Sequence, residues 1–511
     1  MTPKIVTAKE AVQKIADGAS VCIGGGGAGH AVPDKILEQM GKSFLEKGAP
    51  RRLTVIHPCG IGDNENRGLN HIAHEGLVRR VIGGFWGNAP KMVRLAQEEK
   101  IEGYNFPQGV LTHLMRATAA GQPGVITTTG LFTFVDPRIE GGKINKRTTK
   151  DLVDVVLLNN KKYLLYRTIP FKVAIIRGSS VDKNGNLTME NEVATFSMLS
   201  IAQAAKANGG MVIAQVDKVN EKAAAPERVK VPGAFIDFVV VVPDQGMTFL
   251  TQHDLALIDS EVPTNEDLSV DGIKKVIARR AAMEISPGMF LNVGYGMADG
   301  VPIVARDEGM LEKVSFFIEQ GPLGGIPATG LNFGAMYNPK AILDDGYQFD
   351  FIQGRGIDIA FLGFAQIDQQ GNVNSSKFNS RLTGCGGFID ISQNAQRVVF
   401  CGAFAVKSVV YVEDGAVHIV DPGARSKFVK QVEQITFSGN YAMDQRQPVL
   451  VVTERAVFEL SQGNLVLKQA APGVDVKEHI LDMMEFQPIV PPFVELMSAK
   501  CFTDTPLYFS E

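Results

Sequence analysis

Apolar and polar positions along this chain fall into two rhythms. Near its start, Val12, Ile15 and Ala16 make a helical stripe, with Thr7 and Glu10 spaced as a capping box before it and Gly18 placed to end it. An apolar strand is expected next, at 20–23. Gly24, Gly25, Gly26, Gly27 and Gly29 follow that strand, and Pro33 and Asp34 open a second helical pattern through Ile36, Leu37 and Met40. The unit reads as helix, strand, glycine turn, helix.

The same order restarts in the second half. Residues 271–284 have helical periodicity, Pro287 and Gly288 break it, and 289–293 form an apolar strand before another glycine-rich turn. CIGGGGAGHAVP from Cys22 parallels LNVGYGMADGVP from Leu291. VAIIRGSSVDKNGNL from Val173 parallels IAFLGFAQIDQQGNV from Ile359, and IAQAAK from Ile201 parallels ISQNAQ from Ile391. Three matches in one order predict two related domains, the first with a longer insertion. Strands such as 173–176 and 359–362 are apolar throughout, the pattern of a parallel sheet covered on both faces. The expected class is α/β, with two related doubly wound, mainly parallel-sheet domains. The polar stretch 252–270, which contains Pro263, puts their division at 1–260 and 261–511.

A chain of 511 residues exceeds what one core accommodates, and 45% hydrophobic with 21% charged residues is an ordinary globular composition. Its 51 basic and 55 acidic residues leave a formal charge of −4, too small a field to draw nucleic acid or an anionic membrane. An anionic ligand has to be met by local groups. Cys22, Cys59, Cys385, Cys401 and Cys501 are scattered without a Cys-x-x-Cys pair and read as reduced thiols. The start of the chain lacks the apolar run of a signal peptide, and no run is long enough to span a bilayer, so a cytoplasmic location is expected.

Candidate chemistry concentrates in VSFFIEQGPLGGIPATG from Val314, an apolar strand whose last residue before a turn is Glu319. Ligands of open α/β sheets sit at the carboxyl ends of strands. A carboxylate there, flanked by Gly321, Gly324 and Gly325, is open to a large substrate, and nearby backbone N–H groups stabilise a developing oxyanion. A glutamate after a strand is more often a solvated turn residue, so its surroundings decide.

Those surroundings resemble a known family. EQGPLGG at 319–325 matches, residue for residue, the E-x-G-x-x-G-G of family I CoA-transferases. EGYNFPQGVLTHL from Glu102, QPGV from Gln122, FVDPR from Phe134, YQFDFIQGRGID from Tyr347, GNVNSSKF from Gly371, GCGGFIDISQNA from Gly384 and VEQITFSG from Val432 resemble the same family, in order, along nearly the whole chain. The similarity is to its single-chain propionate and acetate CoA-transferases. It implies their fold, which sugar-phosphate isomerases and deaminases also use, and a ping-pong transfer of CoA between short-chain acyl-CoA and short carboxylic acids. In that chemistry Glu319 is the nucleophile and carries a glutamyl-CoA thioester. No metal or cofactor is implied beyond coenzyme A as a substrate, and the resemblance suggests a homo-oligomer, commonly a tetramer.

Gln108 and the 384–387 turn, Gly386 among it, are the leading candidates for oxyanion donors, ahead of the amides at 24–29. Gly25, Gly26, Gly27, Gly384 and Gly387 are candidates for substrate or CoA contact, with tight turning as their plainer role. Asn374 could orient a carboxylate or carbonyl through its amide, or cap a turn. Lys377 and Arg381 are candidates to meet CoA phosphates, against simple solvation. Two departures from the family pattern bear on acyl preference: GGGGAGH is richer in glycine, and Arg355 interrupts a Gly-Gly-Gly-Ile-Asp-like stretch.

His71 and His74 beside Glu75 lack the spacing of a metal motif, and there is neither a G-x-S-x-G elbow nor a P-loop Lys-Ser/Thr. Two other readings stay open: a sugar-phosphate isomerase or deaminase on the same fold, and a non-catalytic metabolite-binding regulator. The intact EQGPLGG speaks against both.

Overall fold

The computed structural model describes residues 2–379 and 381–507. The first half builds an eight-stranded sheet in the order Lys4–Ile5, Phe238–Val241, Met211–Val216, Val173–Arg177, Ser20–Ile23, Leu53–His57, Val78–Gly83 and Glu102–Asn105. Every adjacent pair is parallel. Alternate residues of the central strands feed opposite faces. Ala174 and Ile176 join one core while Val173 and Ile175 join the other. Each buried aliphatic side chain of this size is worth about 1.5–3 kcal/mol, so both faces must be covered, which is why these strands are apolar throughout.

The second half builds a ten-stranded sheet whose centre repeats that plan. Ser315–Phe317, Phe290–Val293, Ile359–Gly363, Arg397–Cys401 and Val449–Val452 lie side by side and parallel. Antiparallel partners close both margins, Pro322–Leu323 at one and Ala456–Ser461 at the other. Register fixes the correspondence between halves. Val173 faces both Val21 and Met211, as Ile359 faces both Leu291 and Arg397. Leu291 is therefore the counterpart of Val21, not of Cys22. The first glycine turn is one residue longer before the closing Val-Pro. Val21 in turn faces Val55, and Leu291 faces Phe316. Counting on from those two residues, Glu319 takes the place that Pro58 holds in the first half.

The longer insertion of the first half is an antiparallel sheet of Gly124–Thr127, Val153–Leu158 and Lys161–Arg167. The opening helix covers only Ala8–Val12, with both capping-box bonds formed. Ile15 is buried from the turn that follows, where its N–H reaches Val12 O at 3.0 Å. The polar stretch between the sheets is partly anchored: Ala256 and Leu257 are buried with Ala335 and Tyr337, and Asn338 N–H donates to Ala256 O at 2.7 Å. Helix Gln108–Ala119 of the first half packs on Asp345–Gln353 and Phe388–Asn394 of the second. Among the described residues no helix is long and apolar enough to cross a membrane.

Candidate active site

Strand Ser315–Phe317 ends at the seam between the halves, and the chain reverses at once. Ile318 N–H donates to Pro322 O at 3.2 Å and Gly321 N–H to Ile318 O at 3.1 Å. Gly321 has φ +125°, and a Cβ there would run into Leu343 O, so this turn requires glycine. Glu319 is at the tip of the reversal rather than in the strand. It is only 7% exposed. Its Oε1 accepts the Gln320 amide at 2.9 Å, whereas its Oε2 is buried without a partner among the described residues. Burial holds its pKa above the ordinary value, opposed by its own backbone N–H and by Gln320. A buried oxygen left unsatisfied costs about 1–3 kcal/mol. Oε2 is thus a stripped oxygen that no described group holds by a hydrogen bond.

The 384–387 turn comes against this carboxylate from the same half. A Cβ on Gly387 would stand 3.1 Å from Glu319 Cγ. Most amides of the turn are already engaged. Gly384 N–H donates to Ser376 O at 2.9 Å, Cys385 N–H to Asn105 Oδ1 at 2.9 Å, and Gly386 N–H to Gly84 O at 2.8 Å. This corrects the expectation for Gly386, whose N–H is used in joining the halves. Gly387 N–H has no acceptor among the described residues. Gln108 reaches the same turn from the first half: its backbone N–H donates to Gly386 O at 2.8 Å, and its side-chain Nε2 is buried without a partner among the described residues.

The glycine turn after Ser20–Ile23 approaches from the other side. Gly26 and His30 exchange both backbone bonds at 2.9 Å, and a Cβ on Gly25 would stand 2.6 Å from Ala31 O. Gly25 and Gly26 therefore serve the turn's own close packing, the plainer role given for them. A Cβ on Gly27 would stand 2.8 Å from His30 Nδ1, and one on Gly334 of the second half 2.9 Å from the same atom. His30 is buried, its pKa pushed down to about 4 by desolvation and then by Arg177. Cys59 adjoins the site too, its thiol pushed up to about 12 chiefly by burial and also by Glu319 and Asp345. It is a buried, packed thiol.

Three further candidates sit away from the carboxylate. Asn374 donates to Gln366 Oε1 at 2.7 Å and to Lys377 O, and accepts from Ser376 and Lys377 N–H at 3.2 Å each. Its amide is fully engaged in a turn that backs Gly384, so turn capping is its role. Lys377 Nζ lies 3.9 Å from Glu433 and lines a small pocket with Glu140, Lys143 and Gln434. Arg381 borders a separate groove with Asn64 and Arg94. His71 faces Asp34 at 3.3 Å, and no cluster of three or more metal-ligating side chains occurs among the described residues.

Sequence reasoning did not single out four residues that shape the site. Gln320 follows the glutamate and folds back on it. Asn105, in EGYNFPQG, donates to Gly83 O at 2.9 Å and Gly84 O at 2.6 Å while accepting from Cys385. Asp345 takes Ser197 Oγ at 2.6 Å and Thr112 Oγ1 at 3.4 Å. Asp390, in GCGGFIDIS, accepts from Gly109 and Gln353. Burial first pushes both aspartates up to about 7. Asn105 and Asp390 lay inside quoted motifs, but only the fold shows what they face.

Comparison with known proteins agrees with this arrangement. Residues 5–242 match the family model described as coenzyme A transferase. The acetate CoA-transferase YdiF of Escherichia coli K12 is 42% identical over 99% of this chain and 96% of its own length. The caffeate CoA-transferase of Acetobacterium woodii is 42% identical over 98% of each. The crystal structure of the YdiF apoenzyme from Escherichia coli O157:H7 superposes with a TM-score of 0.94 at 40% identity, over 100% of this chain and 98% of that one. A thioester complex of that enzyme with CoA superposes with the same TM-score and identity. Because these likenesses run through both sheets and the seam that holds Glu319, the chain belongs to the coenzyme A transferases and is an enzyme that transfers CoA.

Proposed function

We propose that the enzyme moves CoA between short-chain acyl-CoA and short carboxylic acids of the acetate and propionate class, with Glu319 as the covalent nucleophile. The observation that carries this is the buried, unpartnered Oε2 of Glu319, whose side chain packs against Gly387. The CoA thioester of the related Escherichia coli enzyme supports it.

Oε2 attacks the thioester carbonyl of acyl-CoA; the C–S bond breaks and CoA leaves as thiolate, giving a mixed anhydride. The thiolate then attacks the glutamyl carbonyl, expelling the first acid as carboxylate and leaving glutamyl-CoA. A second carboxylate repeats these steps in reverse and departs as its CoA ester. No net proton or electron is exchanged, so the sequence calls on no metal or prosthetic group. Each tetrahedral intermediate places negative charge on a former carbonyl oxygen, and Gln108 Nε2 and Gly387 N–H are the donors for it. Burial suits this chemistry because water would hydrolyse both the anhydride and the thioester. A cytoplasmic homo-oligomer, tetrameric as the family resemblance suggests, belongs to the same reading.

Glu319→Gln tests it. The substitution keeps shape and replaces the nucleophile by an amide, so the fold should persist. Transfer should fall by more than the roughly 10²–10³ that follows loss of one oxyanion donor. Glu312→Gln, at an exposed residue paired with Lys340, should leave transfer near wild type. Near-normal turnover by folded Glu319→Gln would overturn the reading.

A further inference from the structure

We propose that Asp390 is a positioning residue that holds Gln108 in place against the Gly387 amide, so that both donors meet the same oxyanion. This rests on the reading of Glu319 as nucleophile and Gln108 as oxyanion donor.

Helix Gln108–Ala119 begins after Pro107, which offers no side-chain cap. Its first N–H groups therefore need acceptors from elsewhere. Both of the first two find them on one short segment of the other half: Gln108 N–H on Gly386 O at 2.8 Å, and Gly109 N–H on Asp390 Oδ2 at 3.0 Å. A carboxylate at a helix N-terminus is also favoured by the helix dipole. Asp390 is fully buried, and its other oxygen accepts Gln353 Nε2 at 2.9 Å, which fixes the carboxylate plane. Gly109 is needed for this approach, since a Cβ there would stand 2.7 Å from Asp390 Oδ1.

Asp390 and Gly387 share one rigid piece of chain, because Gly387 caps helix Phe388–Asn394 in which Asp390 lies. The Gly109–Asp390 bond, together with the Gln108–Gly386 bond, thus holds the start of this helix on the Gly387 segment, and Asp390 itself acts only through Gln108. Gln393 of the same helix accepts Gly130 N–H at 2.6 Å and donates to Leu131 O at 2.9 Å, so the halves stay joined when Asp390 is changed.

The test is a double-mutant cycle of D390A with Q108A, read as kcat per folded molecule with acetyl-CoA and propionate. D390A should lower kcat about 10- to 100-fold, the scale of a displaced donor. In the Q108A background the same change should cost less than about threefold, because the group it positions is gone. D390N keeps a carbonyl acceptor for Gly109 and should bring kcat back to within about threefold of wild type. If D390A does not fold, D390S, whose hydroxyl is one bond too short to take the place of Oδ2 at Gly109 N–H, replaces it in the cycle. Additive losses, wild-type kcat in D390A, or D390N falling as far as D390A would each overturn the proposal. Failure of the nucleophile reading shows separately, as turnover surviving in Glu319→Gln.

Discussion

Glu319 has one oxygen bonded to Gln320 and the other stripped, and burial raises its pKa. Only the carboxylate attacks, so kcat/KM for acyl-CoA should fall as pH drops through a value above the ordinary 4.5. A pH profile with its acid limb below 4.5 would contradict the burial described for this group. EQGPLGG was legible in sequence as a family motif, whereas a glutamate after a strand is by itself more often a solvated turn residue. Which amide of the 384–387 turn is left without an acceptor was not. Gly386 and Gly387 are adjacent and alike in composition, and only the approach of Gly84 decides that the first is engaged and the second available. Asn374 shows the same limit, since its amide is drawn into its own turn by Gln366 and Lys377.

Among the elements, three helices lock the seam, and a second buried acid sits among them. Asp345 begins helix Asp345–Gln353 and takes hydroxyls from Ser197 and Thr112 of the first half. Burial and then neighbouring Asp344 push its pKa up from 3.8 to about 7. The folded state therefore keeps this proton while the unfolded chain loses it, and the stability it contributes below 3.8 is lost as pH rises toward about 7. Asp345→Asn is neutral throughout and should gain in unfolding free energy relative to wild type as pH rises from 3.8 to about 7, with no further gain above that, measured by denaturant titration. A wild-type-to-variant difference that does not move with pH would contradict this. Element types and most positions were legible: the strands at 20–23 and 359–362 follow from continuous apolar runs, and the helix after Pro33 from its stripe. The opening helix fell short because Ile15 of its stripe is buried from a turn, a placement that periodicity does not separate from a helix.

In the whole molecule, two copies of one sheet plan meet across a helical seam, and the copy was legible from three paired segments. Its register was not, because a single added residue in the first glycine turn moves Leu291 from the partner of Cys22 to that of Val21. The polar stretch between the sheets is anchored at Ala256, Leu257 and Leu268, which are buried. Limited proteolysis of the native protein should therefore cut within 259–267 rather than across the whole of 252–270. Early cuts inside either central sheet would contradict this placement of the division. The covalent bond at Glu319 is tested most directly by incubating the enzyme with acetyl-CoA and no acceptor acid, then measuring intact mass and mapping the adduct. The predicted result is a gain of CoA less water on Glu319, sensitive to borohydride and missing from Glu319→Gln; an unmodified enzyme that still turns over, or an adduct on another residue, would contradict the account.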